Sequence, residues 1–211
     1  MAIEQTPAGE RAYQDTKDKI LDGAVKGGQL LSEVEVAAQL GVSRTPVHEA
    51  FLRLAAEDLL EMLPRRGAVV VPVAPREATD LLEMRLALEG SAVRRLCRSA
   101  DLGPVSAELI ELLERQREAA DDLARFTELD AAFHRHIVDA AGNRIAQRFY
   151  CSLGDRQRRM MTDAVQADRS FVDRLVVEHR QLADAIGRRD TEAFDALLLS
   201  HLESTYRVVL R

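Results

Sequence analysis

A chain of 211 residues that is 46% hydrophobic suits one large domain or two small ones, and it carries a net charge of −6. Aromatic residues make up only 4% and tryptophan is absent, so the core must be assembled from Ala, Leu and other aliphatics in a composition that favours helices. No apolar run approaches the roughly 20 residues that span a bilayer, Met1 to Glu10 lacks the basic start and apolar core of a signal peptide, and Cys97 and Cys151 have neither metal nor disulfide spacing, so the expectation is a cytoplasmic protein with reduced thiols.

Residues 1–10 read as a disordered lead-in. From 12 to 25, Ala12, Tyr13, Ile20, Leu21 and Ala24 suggest a first helix that ends at Gly27-Gly28. Ser32-Glu33-Val34-Glu35 is a capping box, with Ser32 at the N-cap and Glu35 three residues on. It opens a short helix with Val36, Ala37 and Leu40 inward, closed by Gly41, which tolerates the left-handed conformation of a C-terminal cap.

Ser43 is a good N-cap for the next helix, and Pro46 lies in its first turn, where a missing N–H costs nothing. Val47, Ala50, Phe51 and Leu54 then repeat at three- and four-residue spacing, so one stripe faces a core. The start of the helix is left to Arg44, Thr45 and His48, all able to donate hydrogen bonds to phosphates or base edges. This is the turn and second helix of a helix-turn-helix, whose recognition helix enters the major groove by its N-terminal residues. Residues 60–63 and 68–71 flank Pro64-Arg65-Arg66-Gly67 as a β-hairpin with a basic tip, a wing that can reach backbone or minor groove. Residues 1–74 and the remainder each carry a net charge of −3, so a nucleic-acid role here depends on local placement of a few cations.

Pro72-Val73-Ala74-Pro75 resists both helix and ladder and is read as a linker, dividing the chain at 1–74 and 75–211. Beyond it, amphipathic spans of about 76–99, 105–122, 124–141, 144–165, 169–187 and 190–211 alternate with short Gly- and Pro-bearing connections. Six such helices make an antiparallel bundle. The expected architecture is therefore mainly α, a winged helix-turn-helix followed by an all-α bundle.

The order of capping box, Leu40-Gly41-Val42-Ser43-Arg44-Thr45-Pro46, Glu49-Ala50, the Arg65-Arg66-Gly67 hairpin, proline linker and helical bundle resembles the GntR family of bacterial transcription regulators. The bundle resembles the FCD (FadR C-terminal domain) effector type, and its helix count the VanR-like branch. The resemblance implies a homodimer on a palindromic double-stranded DNA operator, usually repressing, with a small metabolite bound in the bundle. The DNA-facing set is then Ser43, Arg44, Thr45, Pro46, His48 and Arg53, with Arg65, Arg66 and Gly67 on the wing. Two positions depart from the family pattern: His48 stands where members commonly have arginine, and Val34 where many have a basic residue. The operator is expected to differ accordingly from the family's usual one.

Within the bundle, Phe126, Leu129, Phe133 and Ile137 form an inward stripe, with Asp130 and His134 on its edge, one turn apart. His179 fills the stripe of Phe171, Leu175, Leu182 and Ile186, and His201 that of Phe194, Leu197, Leu198 and Leu202. His136 points to the opposite face. A lone inward histidine is usually a hydrogen-bonded core residue, but burying three imidazoles and a carboxylate without a common partner is expensive. A divalent cation, Zn²⁺ or Ni²⁺, satisfies all four, and the resemblance places an FCD Asp-x-x-x-His, His, His set on the same residues: Asp130, His134, His179 and His201.

Arg85 lies on the inward stripe of Leu81, Leu88, Ala92 and Leu96. It is read either as a salt bridge to Glu89 or another core acid, or as a fork for the carboxylate of an organic-acid effector; in relatives the matching arginine sits beside the metal. Asn143 and Arg156 are weaker effector-binding candidates, and Arg148, Arg158 and Arg159 read as a solvated face. The rival reading is a metal-dependent hydrolase in which the same four residues activate water, weakened by the lack of a general base beside them.

Overall fold

A computed structural model describes residues 6–98 and 101–210. They fall into two compact units that divide between Val73 and Ala74. The first holds α1 (Ala8–Leu21), β1 (Leu30–Leu31), α2 (Glu33–Leu40), α3 (Arg44–Ala56), β2 (Leu60–Leu63) and β3 (Gly67–Val70). The second holds α4 (Pro75–Leu96), α5 (Gly103–Glu118), α6 (Leu123–Ala140), α7 (Arg144–Ala167), α8 (Phe171–Gly187) and α9 (Thr191–Tyr206).

In the first unit Val47, Ala50, Phe51 and Leu54 of α3 are fully enclosed, packed against Ala12, Ile20, Val36, Ala37, Leu60, Ala68 and Val70. Removing a ring such as Phe51 would cost about 3–5 kcal/mol. Gly41 takes φ 64° at the end of α2, and Ser32 accepts a hydrogen bond from the Glu35 amide at its start. The helix-turn-helix is thus framed by the residues whose chemistry suits each corner. Ser43, however, occupies the N-cap of α3 with no side-chain cap bond.

The hairpin has the register Leu60↔Val70 through Leu63↔Gly67. Its turn closes by Arg66 N–H to the Leu63 carbonyl at 3.0 Å, with Arg65 at φ 64°. Proline followed by a positive φ is the type II signature, and glycine is the usual occupant of the second position. Arg65 there accepts a strain of about 1–2 kcal/mol, and both arginines stand exposed at the tip. A third strand, absent from the sequence reading, joins this hairpin: Leu30 and Leu31 pair with Val69 and Ala68, giving the order β1-β3-β2. Two residues are too few for a period to show. Gly67 has φ 99°, and a β-carbon there would collide with the Leu31 carbonyl oxygen, so its role is to admit this strand.

The first helix starts at Ala8, within the stretch expected to be a lead-in, because the α1 face against α3 extends to Arg53; residues 1–5 of that lead-in lie outside the described residues. In the second unit, Asp122, Asn143 and Asp190 cap α6, α7 and α9 through their side chains. The last helix ends at Tyr206, earlier than expected, where Arg207 turns left-handed at φ 54°. Helix α6 packs against α4, α5 and α7, α9 against α4, α7 and α8, and α5 against α8. Among the described residues no helix is long and apolar enough to cross a membrane.

Candidate metal centre and nucleic-acid interface

Helices α6, α8 and α9 deliver His134, His179 and His201 to one point in the second unit. Their ring centroids are 5.0, 5.3 and 4.9 Å apart, and one nitrogen of each lies within 4.8 Å of the others. All three are buried, and the Phe133 ring stacks on His179 at 4.7 Å. Asp130, one turn before His134, places Oδ1 3.4 Å from His179 Nε2.

Each ring is held from behind. His134 Nδ1 donates to Glu89 at 2.8 Å, His179 Nδ1 to the Gln116 amide oxygen at 2.8 Å, and His201 Nδ1 to Glu178 at 2.7 Å. Carboxylates only accept, and Gln116 spends its NH₂ on the Leu129 carbonyl at 3.1 Å, so all three protons are fixed on Nδ1. The three Nε2 atoms are therefore lone-pair acceptors aimed at one another. All three, and Asp130 Oδ1, are buried without a hydrogen-bond partner. Three orphaned imidazole acceptors at one point, with Asp130 Oδ1 beside His179 and further acceptors orienting the rings from behind, form a cluster that could hold a divalent cation.

The electrostatics agree. Burial lowers His134 and His201 against the pull of Glu89 and Glu178, and burial with the two neighbouring imidazoles takes His179 well below the ordinary imidazole value. The three are thus neutral imidazoles, the form that binds metal. Burial raises the Asp130 carboxyl, opposed by His134 and Arg85.

Arg85 is enclosed on α4. Its Nε donates to Glu89 at 2.9 Å, and Tyr150 Oη donates to the same oxygen at 2.7 Å. Burial would raise Glu89, but His134 and Arg85 outweigh it and bring the carboxyl down to about 2. Arg85 thus pairs with Glu89, while its Nη2 stays buried and unpartnered. Sequence reasoning missed Gln116, which shares the inward phase of Leu109, Leu112 and Leu113, and Glu178, which lies off its stripe and gave no signal.

The two weaker effector candidates lie as follows. Asn143 is exposed, its side-chain oxygen engaged by the Ile145 and Ala146 amides. Arg156 is partly buried and pairs with Glu77 at 2.8 Å. Arg159, expected on a solvated face, is buried, on the enclosed face of α7 with Met160. His136 lines a separate groove with Leu112, Leu129 and Asp139.

In the first unit, Arg44, Thr45 and His48 are exposed at the start of α3. Glu33, at the start of α2, accepts from two side chains of α3: Arg44 Nη2 at 2.8 Å and His48 Nδ1 at 2.7 Å. Those hydrogen bonds, Arg44's first, hold its carboxyl below the usual range. Pro46 is half-buried. Arg44 and His48 share a groove with Arg65, Arg66 and Gly67. Arg53 pairs with Glu10 at 2.8 Å and covers the Tyr13 ring at 3.8 Å, which ties it to α1.

A winged helix-turn-helix joined to a helical bundle with a histidine-lined centre defines a DNA-binding transcriptional regulator. The chain belongs to the GntR family: residues 8–70 match the family "Bacterial regulatory proteins, gntR family", and residues 80–204 match the FCD domain. It is 30% identical over 202 residues to the HTH-type transcriptional repressor RspR of Escherichia coli K12, covering 93% of this chain and 86% of that one. It is 32% identical over 198 residues to an HTH-type transcriptional regulator in an unstable DNA locus of Streptomyces ambofaciens, covering 92% and 81%. A solved GntR regulator of Rhodococcus sp. RHA1 superposes with TM-score 0.79 at 25% identity, covering 96% and 97%. The chain is thus a regulator, and the hydrolase reading of its histidines is set aside.

Proposed function

We propose that the chain acts as a homodimer on a palindromic operator, as a repressor whose affinity for DNA is set by a small carboxylate bound in its FCD unit. Residues 1–74 serve as the DNA-binding part and 75–211 as the metal- and effector-binding part. The observation that carries this reading is the set of three buried, unpartnered Nε2 atoms with every Nδ1 already committed. His134, His179, His201 and Asp130 hold a divalent cation, Zn²⁺ or Ni²⁺ by their nitrogen-rich chemistry. When bound, the cation supplies positive charge and an open coordination position for an oxygen ligand. Arg85 supplies the second anchor, its free Nη2 donating to the effector carboxylate while Glu89 fixes the guanidinium.

On the DNA side, Arg44, Thr45 and His48 face the major groove, with Ser43 and Pro46 shaping the helix start and Arg65 and Arg66 on the backbone. Dimer half-sites recur at about one helical turn or a multiple of it, so a small change in spacing spoils simultaneous contact.

The test is calorimetric titration of the metal-loaded protein with a panel of mono- and dicarboxylates, repeated on Arg85→Ala. An acid that binds the wild type and loses binding in the variant, with metal content kept, supports the reading. Equal binding to both proteins overturns it.

A further inference from the structure

The side chain of His48 is 50% exposed, that of Glu33 only 10%. The acid is therefore the fixed member of the pair and the ring the presented one. Glu33 is also held by Arg44 through its other oxygen, at 2.8 Å, so its carboxylate cannot swing away without abandoning both partners. A carboxylate only accepts, so the 2.7 Å contact requires the proton of the neutral ring on Nδ1. Nε2 is then left as a lone pair, with no partner among the described residues.

We infer that Glu33 fixes this tautomer of His48 and that Nε2 selects a donor-bearing base, cytosine or adenine, at one position of each operator half-site. The inference rests on the DNA-binding reading above and extends it to the sequence read.

The major groove presents donors only at cytosine N4 and adenine N6, whereas guanine offers two acceptors. An arginine at position 48 would only donate and would favour guanine. A neutral imidazole held by Glu33 cannot donate from Nε2, so it selects against guanine at the same place. Arg44 lies four residues earlier on the same helix face, about 6 Å along the axis, and donates only. The helix start therefore offers a donor and an acceptor side by side. Glu33 is a positioning residue: it touches no base, and it decides which ring nitrogen carries the proton.

The experiment is selection of bound sequences from a random duplex library at pH 8, using full-length wild type, His48→Arg and Glu33→Gln. Wild type should enrich a palindrome with cytosine or adenine at one position per half-site, preferred over guanine by roughly fivefold or more. His48→Arg should convert that one position to guanine and leave the others. Glu33→Gln can accept or donate through its amide, so the ring is free to take either tautomer and discrimination at that position should vanish while the rest of the motif survives. The same base preferred by wild type and His48→Arg, or by wild type and Glu33→Gln, overturns the inference and leaves the operator reading intact. Enrichment of no sequence by any of the three proteins overturns both.

Discussion

His134 and Glu89 lie 45 residues apart in sequence, and the imidazole Nδ1 meets the carboxylate at 2.8 Å inside the bundle. The same carboxylate takes Arg85 and Tyr150 on its other oxygen, so one acid orients the His134 ring and neutralises Arg85 together. The histidine cluster and Arg85 are therefore joined through Glu89.

Glu89→Gln should accordingly weaken metal binding by about 10–100-fold, the usual effect of losing an outer-shell partner. It should also leave the Arg85 charge unpaired in the interior, where breaking a buried pair costs about 3–5 kcal/mol. Competition against a chromophoric chelator reads the first effect and thermal melting the second. Unchanged chelator competition would show that the His134–Glu89 contact does not support the ligand.

Metal content separates the inward histidines from the outward one. Protein purified without chelator should carry about one divalent ion per chain, lost in His179→Ala and kept in His136→Ala. Elemental analysis of the three proteins decides it. Stripping the ion should lower the melting temperature, because it binds only the folded bundle; equal metal in all three would remove the site.

How much of this could be read from the chain depends on the range of the interactions. The helix-turn-helix was legible because its determinants are local: Gly41, Ser32 and the Val47–Leu54 stripe each act within a turn or two. The inward phases of His134, His179 and His201 were legible for the same reason. The acceptors behind them were not, since Gln116 and Glu178 meet their histidines only across helices. The partners of Arg53 were equally out of sight, because Glu10 and Tyr13 reach it only through the packing of α1 on α3. The Gly142-Asn143 turn is a helix cap, and Asn143 spends its side-chain oxygen there.

Arg44→Ala should cost about 1–3 kcal/mol in operator binding and leave the bundle folded, since Arg44 is exposed and off the apolar stripe. A gel shift on the cognate promoter reads the first and far-ultraviolet circular dichroism the second. An unchanged shift would contradict the docking of α3 in the major groove.

The Glu33 clasp also predicts a pH dependence. Hydrogen bonds from Arg44 and His48 lower the folded value of its carboxyl, so its contribution is fully present above the unfolded value, about 4.3 in ordinary peptides. It is lost as pH falls through the depressed folded value, because protonation removes the acceptor charge. Hydrogen-exchange protection of the α2 and α3 amides should therefore differ between wild type and Glu33→Gln at pH 6 and converge once pH has fallen through the depressed folded value. A difference that persists unchanged in acid would mean the clasp adds no charge-dependent stability.

Effector control of operator affinity is the proposed property most open to direct measurement. Fluorescence anisotropy of an operator duplex, titrated with metal-loaded protein, should show an affinity shifted about 5–150-fold by an effector carboxylate, the usual range of an allosteric coupling. The shift should disappear in Arg85→Ala and in metal-stripped protein. An operator affinity that stays the same with every acid that binds the bundle would contradict it.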